Sequence, residues 1–394
     1  MKLRVLHPIT RLIIGGAQEN TMLTADYLNH HPRYGGRYHV AIVSGPQTGP
    51  EGSLIEEVRR RGIPLTILPN LRREISPAHD LIALVKLARL MRHGRYHIVH
   101  THSSKAGLLG RLAARLAGVP LIVHTVHGWS FHDQMSPRRR RFYVALEKLG
   151  WALGQATVVV AARDIEKGLG QGIGRSPADY HLIRSGIELD RFGHPQRPPA
   201  KVRQELGVPA AAPLVGCVTR LSPQKSPLTL VELFARVYQE RPQTWFVIVG
   251  DGPLRGEMER QLAAAGLSHR VILTGLRRDV PELMAAFDVF VLTSLWEGLP
   301  RVLPQAMASG LPIVCTNADG SAEAVINGEN GFLVERGRTE EMAANIIKLL
   351  GIPDLRRKMG EEGRLRVVEF DANKMVEEIE QLYRKLLARP GILM

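Results

Sequence analysis

The chain has 394 residues, 44% hydrophobic and 23% charged, enough for two packed cores, and two domains are expected. Its longest apolar runs fall short of the ~20 residues of a membrane span, and "MKLRVLHPI" runs into a strand pattern with charges inside it, which predicts no signal peptide. The formal charge of +14 sits in one half: residues 1–200 carry 28 basic and 14 acidic side chains and residues 201–394 carry 24 of each, a skew that implies an anionic surface or substrate approached by the first half.

In chain order, short runs rich in Val, Ile and Leu alternate with helical patterns. "LRVLH" opens the series and leads into "IIGGAQENTML". There Gly15 and Gly16 would let backbone approach a ligand while a helix start offers free N–H groups to an anion; a plain turn is the equal alternative. "HVAIVS" and "LTILP" follow, then "LIALVKLARLMRHG", apolar at three-to-four spacing. "HIVHTH" and "LIVHTVH" carry alternating histidines. His100, His102 and His124 read as core or supporting groups, because no carboxylate or cysteine completes a usual metal-ligand set. His127 ends its strand, before Gly128, where a cleft residue would stand. "SPRRRRFY" puts Arg138, Arg139, Arg140 and Arg141 at a helix start beside Phe142 and Tyr143. It is either a solvated helix start or a contact for lipid phosphates or an acceptor diphosphate. "ATVVVA" and "HLIRS" complete seven strands. "GLGQGIG" has Ile173 where a dinucleotide fingerprint needs its last glycine, and reads as a loop.

"HPQRPPAKVRQELGVPAAAP", residues 194–213, breaks the rhythm and reads as an interdomain linker. It would separate a first domain, 1–193, from a second, 214–370, with a last helical stretch, 371–394, able to cross back. Six further strands follow: "LVGCVTR", "WFVIVG", "RVILTG", "VFVLTS", "PIVCT" and "GFLVE". Cys217 and Cys315 sit inside two of them and read as buried and reduced. After the first of these strands, "TRLSPQK" sets Arg220 and Lys225 five residues apart, a clamp for a diphosphate at a strand's carboxyl end. "VGDGPLRGE" turns tightly at Gly252 and could approach a phosphate. "LTSLWEGLPRVLPQAMASGLP" places Glu297 and Gly298 at the mouth of a strand. Strand–helix alternation throughout predicts an α/β protein of two Rossmann-like, doubly wound parallel-sheet domains, with ligands beyond the carboxyl ends of the strands. No zinc-finger spacing, aromatic-interleaved basic motif or Asp-x-Asp appears, so neither nucleic acid nor a metal is expected.

"GGAQE", "HTVHGW", "RSGIELDRF", "TRLSPQK", "VGDGP", "WEGLPRVLPQAMASGLP" and "NGENGFLV" together resemble glycosyltransferase family 4, the retaining GT-B enzymes, over nearly the whole chain. "LRREISPAHD" and the stretch around "VHTHSSKAG" are similar to the subgroup that builds exopolysaccharide, capsule and lipid-linked oligosaccharide. The resemblance implies that Glu297 holds the donor sugar's hydroxyls or supports charge at its anomeric carbon. It implies that the N–H groups of Gly298 and Leu299, at a helix start, face the sugar and diphosphate, that Arg220 and Lys225 bind the diphosphate, and that His127 lies over the sugar. The family's second glutamate, the grip on the ribose, is Gln305 here. The implied protein is a cytoplasmic hexosyl- or N-acetylhexosaminyl-transferase, peripheral at the inner membrane face. It would take a UDP-linked nucleotide sugar, need no cofactor or metal, and use a glycan or polyprenyl-diphosphate-linked acceptor, its basic first half facing an anionic membrane surface. The alternatives are a UDP-N-acetylglucosamine 2-epimerase of the same fold, which would need no acceptor patch, and a weakly active or non-catalytic sugar-nucleotide-binding protein, suggested by Gln305.

Overall fold

The computed structural model describes residues 2–47, 49 and 51–390. Each of the thirteen apolar runs forms a strand. Seven build the first sheet: β1 (Leu3–Ile9), β2 (Tyr38–Ser44), β3 (Leu65–Ile67), β4 (Ile98–His102), β5 (Leu121–Val126), β6 (Ala156–Val159) and β7 (Tyr180–Leu182). Six build the second: β8 (Leu214–Val218), β9 (Trp245–Val249), β10 (Val271–Gly275), β11 (Val289–Leu292), β12 (Ile313–Thr316) and β13 (Gly331–Val334). All strand pairs are parallel, in the orders β3-β2-β1-β4-β5-β6-β7 and β10-β9-β8-β11-β12-β13. β4, β5, β11 and β12 are buried along their whole length, as strands covered by helices on both faces must be, and the edge strands β3 and β10 only partly.

Strand order reverses between β1 and β4 in the first sheet and between β8 and β11 in the second. At such a point the connections leave in opposite directions and a crevice opens beyond the strand ends.

The chain divides into two compact units, one running to Gly186 and resuming at Ala372, the other Ile187–Asp371. Residues 194–213 are therefore not the linker that their composition suggested. Pro199, in the first turn where no N–H is needed, starts a helix, Pro199–Glu205, that buries Val202. Arg203 ties this segment into the second unit through Asp288 Oδ2 at 2.9 Å and the carbonyls of Ala286 and Ala212. The crossings are instead single peptides. Ile187 donates its N–H to the carbonyl of Phe370 at 2.8 Å, so the outgoing and returning chains meet side by side.

The last helix, Ala372–Leu387, belongs to the first unit. Its Met375, Val376, Ile379, Tyr383 and Leu386 enter the same core as Val5, Ile9, Leu12 and Leu28. Tyr38 donates to Glu380 at 3.1 Å and Arg37 pairs with the same carboxylate at 3.0 Å, so the one acid on the buried side of this helix is doubly bonded. Both cysteines are buried; burial pushes the Cys217 thiol up to about 12 and the Cys315 thiol higher still.

Gly216, in the middle of β8, shows how closely the second core is packed: a Cβ there would lie 1.9 Å from the Phe287 ring. Gly216→Ala should cost roughly 1–3 kcal/mol as an overpacked core site. Calorimetry should show the thermal transition lowered by several degrees; an unchanged midpoint would mean that the ring moves aside freely.

Candidate functional site

In the second unit the chemistry-bearing residues follow β8 and β11, the two strands at the order reversal. Arg220 lies two residues past the end of β8. Pro223–Lys225 make one tight turn, closed by Ser226 at φ 45°. β11 runs into Thr293 and the buried Glu297, 8% exposed. The two loops are stitched together. Leu295 donates its N–H to the carbonyl of Gln224 at 2.8 Å, the Gln224 amide donates to the carbonyl of Trp296 at 2.9 Å, and the Thr293 hydroxyl lies 3.1 Å from the carbonyls of Lys225 and Ser226. Across this seam Lys225 Nζ donates to Glu297 Oε1. The N–H of Glu297 donates to Asp319 Oδ2 at 3.1 Å, and Asp319 is itself held at φ 47°.

The structure thus joins two residues for which the resemblance implies separate tasks. Lys225 shares its charge with Glu297 and is not a bare cation. Gly298 and Leu299 are buried, but they precede the helix Val302–Ala308 and are not its first turn, which corrects the placement expected for them. Pro304 falls within that first turn, where a missing N–H leaves no bond unmade. Gln305 sits half-buried on the same helix, three residues after its first residue, Val302. Gly252 has a packing reason of its own. A Cβ there would lie 2.4 Å from the carbonyl oxygen of Leu221, whose N–H in turn bonds to the carbonyl of Asp251 at 3.0 Å. The Gly252 turn supports the backbone that carries Arg220.

In the first unit the corresponding reversal lies between β1 and β4. Thr10 and Ser103 face each other across it, hydroxyl to hydroxyl at 2.8 Å. Ser103 is held at φ 61°, a conformation costing of the order of 1–3 kcal/mol, of the kind that collects at functional sites. Gly15 caps the helix Gly16–His30 in extended backbone at φ 179°, so left-handed freedom is not why glycine stands there; Gly16 is exposed at the helix start.

Five histidines gather where β1, β4 and β5 end. His100 bonds Tyr383 at 2.5 Å through Nδ1 and Thr125 at 2.6 Å through Nε2. His124 Nδ1 lies 2.9 Å from the Thr101 hydroxyl. His7 Nδ1 meets His102 Nε2 at 2.8 Å, and His102 Nδ1 meets His127 Nε2 at 3.0 Å. His7, His100 and His102 bring a nitrogen each within 4.8 Å of one another. The ring planes of His7 and His102 lie 12° apart and those of His100 and His102 27° apart. Burial lowers His7 to about 3 and holds His100, His102 and His124 well below the usual imidazole range, so these four are neutral. The loop after His127 is fixed by Trp129, which donates to the carbonyl of Asp164 at 2.8 Å, and by Ser130, which donates to the buried Glu147 at 2.7 Å.

The four arginines divide. Arg138, Arg139 and Arg141 are exposed in the first turn of the helix Pro137–Leu153, and Arg139 lies over the Tyr143 ring at 5.7 Å. Arg140 turns back to Asp133 at 3.5 Å, so it is not one of an equivalent set. Sequence reading passed over Asp319, Ser103, Gln224 and His7. "NADG" reads only as a turn, and nothing local marks a histidine in the first strand as the neighbour of one 95 residues away.

The model for "Glycosyl transferase 4-like domain" matches residues 32–186, and that for "Glycosyl transferases group 1" matches residues 200–366. The chain is 34% identical over 320 residues to the UDP-Gal:alpha-D-GlcNAc-diphosphoundecaprenol alpha-1,3-galactosyltransferase of Escherichia coli, covering 80% of this chain and 82% of that one. It is 32% identical over 218 residues to the lipopolysaccharide core biosynthesis glycosyltransferase LpsE of Rhizobium meliloti, 55% of this chain and 62% of that one. Among solved structures, Anabaena Alr3699/HepE in complex with UDP and glucose superposes with a TM-score of 0.82 at 24% identity, over 97% of this chain and 100% of that one. The two matched domains, the sheet order and the relative shared over four-fifths of the chain make this protein a glycosyltransferase of the 4-like, group 1 family, with the GT-B fold.

Proposed function

We propose that the enzyme moves a hexosyl or N-acetylhexosaminyl group from a UDP-linked donor to a sugar on polyprenyl diphosphate, with retention of configuration, in cell-surface polysaccharide synthesis. The observation that carries this reading is the Lys225–Glu297 pair, braced on two stitched loops at the order reversal of the second sheet. A cation held beside an acid at that mouth suits a ligand with a diphosphate at one end and a polyhydroxylated ring at the other. Arg220 and Lys225 would neutralise the departing diphosphate, and Glu297 would hold the sugar hydroxyls and support positive charge at the anomeric carbon. His127 would contact the sugar. The protein would supply no covalent nucleophile and no metal; its contribution would be orientation and leaving-group stabilisation. The acceptor class is supported by the E. coli relative, whose name specifies a diphosphoundecaprenol-linked acceptor. The direct test is an assay of UDP-sugars with a polyprenyl-diphosphate N-acetylglucosamine acceptor in the presence of EDTA. The product's anomeric configuration would be read by NMR. Loss of activity with EDTA, or an inverted product, would overturn the corresponding part.

The first unit's helices support association with a membrane surface. Residues 70–155 hold 14 basic and 4 acidic side chains. Ile75, Leu81, Ile82, Val85, Phe142 and Leu149 are exposed among them. Cations in the first turn of a helix oppose its dipole, a cost that bound phosphate relieves. No described helix is long and apolar enough to span a bilayer, so attachment would be at the surface.

Three outcomes are expected. Glu297→Gln should lower turnover strongly, because the sugar loses its charged partner. It should also tighten UDP binding severalfold, because Lys225 no longer shares its charge; calorimetric titration showing weaker UDP binding would place Glu297 on the nucleotide. Gln305→Glu should tighten UDP by up to ~10-fold, worth ~1.4 kcal/mol, by offering both ribose hydroxyls a charged acceptor; unchanged affinity would remove Gln305 from the ribose. Neutralising Arg138, Arg139 and Arg141 together should weaken sedimentation with anionic vesicles, each arginine contributing about 1 kcal/mol, while Arg140→Gln should do less. Equal binding to neutral vesicles would defeat the electrostatic account.

A further inference from the structure

We infer that Glu147 is a positioning residue: its side-chain oxygen, through Ser130, holds the loop that carries His127, and neither its charge nor that of Arg111 is needed for the task. The inference rests on the proposal that His127 contacts the donor sugar. The loop leaves β5 at His127 and reaches the helix Pro137–Leu153. Val144, Glu147 and Gly150, spaced three apart, form that helix's buried stripe. Val144 shares a core cluster with Phe131 of the loop, and Trp129 stacks on Phe131 at 5.4 Å between ring centroids. One turn further along the stripe, Glu147 Oε1 accepts the Ser130 hydroxyl at 2.7 Å. The helix therefore meets the loop twice, three residues past His127 with a directional bond and four residues past it with an apolar contact.

A serine hydroxyl needs only a neutral acceptor, so the bond to Ser130 does not by itself call for an acid. The acid's companion is Arg111, on the helix Ser104–Ala117. Both side chains are buried. Burial lowers Arg111 to about 10 and pushes the Glu147 carboxyl up, against the opposing pull of Arg111 and the Ser130 hydroxyl. Arg111 stays charged at neutral pH, yet its Nη2 lies 3.8 Å from Glu147 Oε2, beyond hydrogen-bond reach, and its Nε is engaged by the carbonyl of Gly107 at 2.9 Å. A buried pair with no hydrogen bond between its members recovers little of its desolvation cost, and replacing both charges by apolar groups of similar size is commonly neutral or stabilising. Gly150 closes onto the guanidinium, where a Cβ would lie 2.2 Å from Nη2, so a slimmer unbranched side chain at 111 fits the same space. The two helices tolerate the charges; the loop uses the oxygen.

The test separates the oxygen from the charge, in the full chain. Arg111→Met with Glu147→Leu removes both charges and the acceptor; Arg111→Met with Glu147→Gln removes the charges and keeps an amide oxygen for Ser130. Both double variants should melt no lower than the unmodified protein. With Glu147→Leu, kcat should fall about 10-fold, the scale of other lost orienting partners, while donor KM and UDP affinity stay unchanged; with Glu147→Gln it should recover. Ser130→Ala leaves the pair in place, and half-buried Ser130 is a mild site to change. It should lose the same ~10-fold, and nothing further when combined with the Glu147→Leu double variant. Hydrogen exchange at the amides of residues 128–135 should quicken in Ser130→Ala and with Glu147→Leu, and stay at the unmodified rate with Glu147→Gln. Full kcat in Ser130→Ala or with Glu147→Leu would overturn the inference, as would an equal loss with Glu147→Gln. A lowered melting midpoint accompanying the loss would make the pair a structural strut and overturn it too. Full turnover in His127→Gln would instead remove His127 from the sugar, and the exchange rates alone would then decide whether Glu147 anchors the loop.

Discussion

Strand order reverses once in each sheet, and most of the side chains proposed to act on the ligand follow the strands at those two reversals. A parallel sheet sends every strand's carboxyl end to the same edge. Only where neighbouring connections depart in opposite directions is that edge left uncovered. β8 and β11 are such neighbours, and Arg220, Lys225, Glu297, Gln224 and Thr293 all follow one or the other within a few residues. β1 and β4 are such neighbours in the first sheet; Thr10, Gly15, Gly16, His102 and Ser103 follow them, with His127 one strand further on. Loops at an open edge lack the flanking strands that would hold them, so they must be fixed by their own bonds. Here the Gln224 amide bonds the Trp296 carbonyl, the Thr293 hydroxyl bonds the Lys225 carbonyl and the Thr10 and Ser103 hydroxyls bond each other, while Ser103 and Ser226 hold left-handed backbone in the same loops.

The architecture was legible because the strands are buried on both faces. Thirteen apolar runs too short for helices are thirteen strands, and no alternation was needed to find them. The placement of Arg220, Lys225, Glu297 and His127 beyond strand ends was legible because each follows such a run. The boundary between the units was not. Composition pointed to the proline-rich 194–213, yet proline at the first turn begins a helix as readily as it breaks one, and Arg203 binds that helix into the second unit. The actual crossings, at Gly186–Ile187 and Asp371–Ala372, carry no proline run because each needs one peptide and no spacer. The pairing of Lys225 with Glu297 and of His7 with His102 was hidden for a different reason. Both link residues more than 70 positions apart, and no local pattern encodes such a contact.

The two units solve the problem of polar groups at a buried sheet mouth in opposite ways. In the second unit the solution is a charge pair: Glu297 is almost covered, and an uncompensated carboxylate there would be costly, so Lys225 accompanies it. In the first unit the solution is neutrality. Five imidazoles are gathered in one place, which is tolerable only while the buried ones are uncharged and bonded to each other, to threonine or to tyrosine.

The consequence for anion binding differs accordingly. A site whose cation is already neutralised by an internal acid does not draw every phosphate to it; the lysine must exchange part of its interaction with Glu297 for the incoming charge. A ligand that brings only the anion leaves the acid beside added negative charge. A ligand that also brings hydroxyl donors to the acid satisfies both partners at once. On the proposed reading the pair would favour a diphosphate linked to a sugar over a bare diphosphate, through the same bond that joins the two loops.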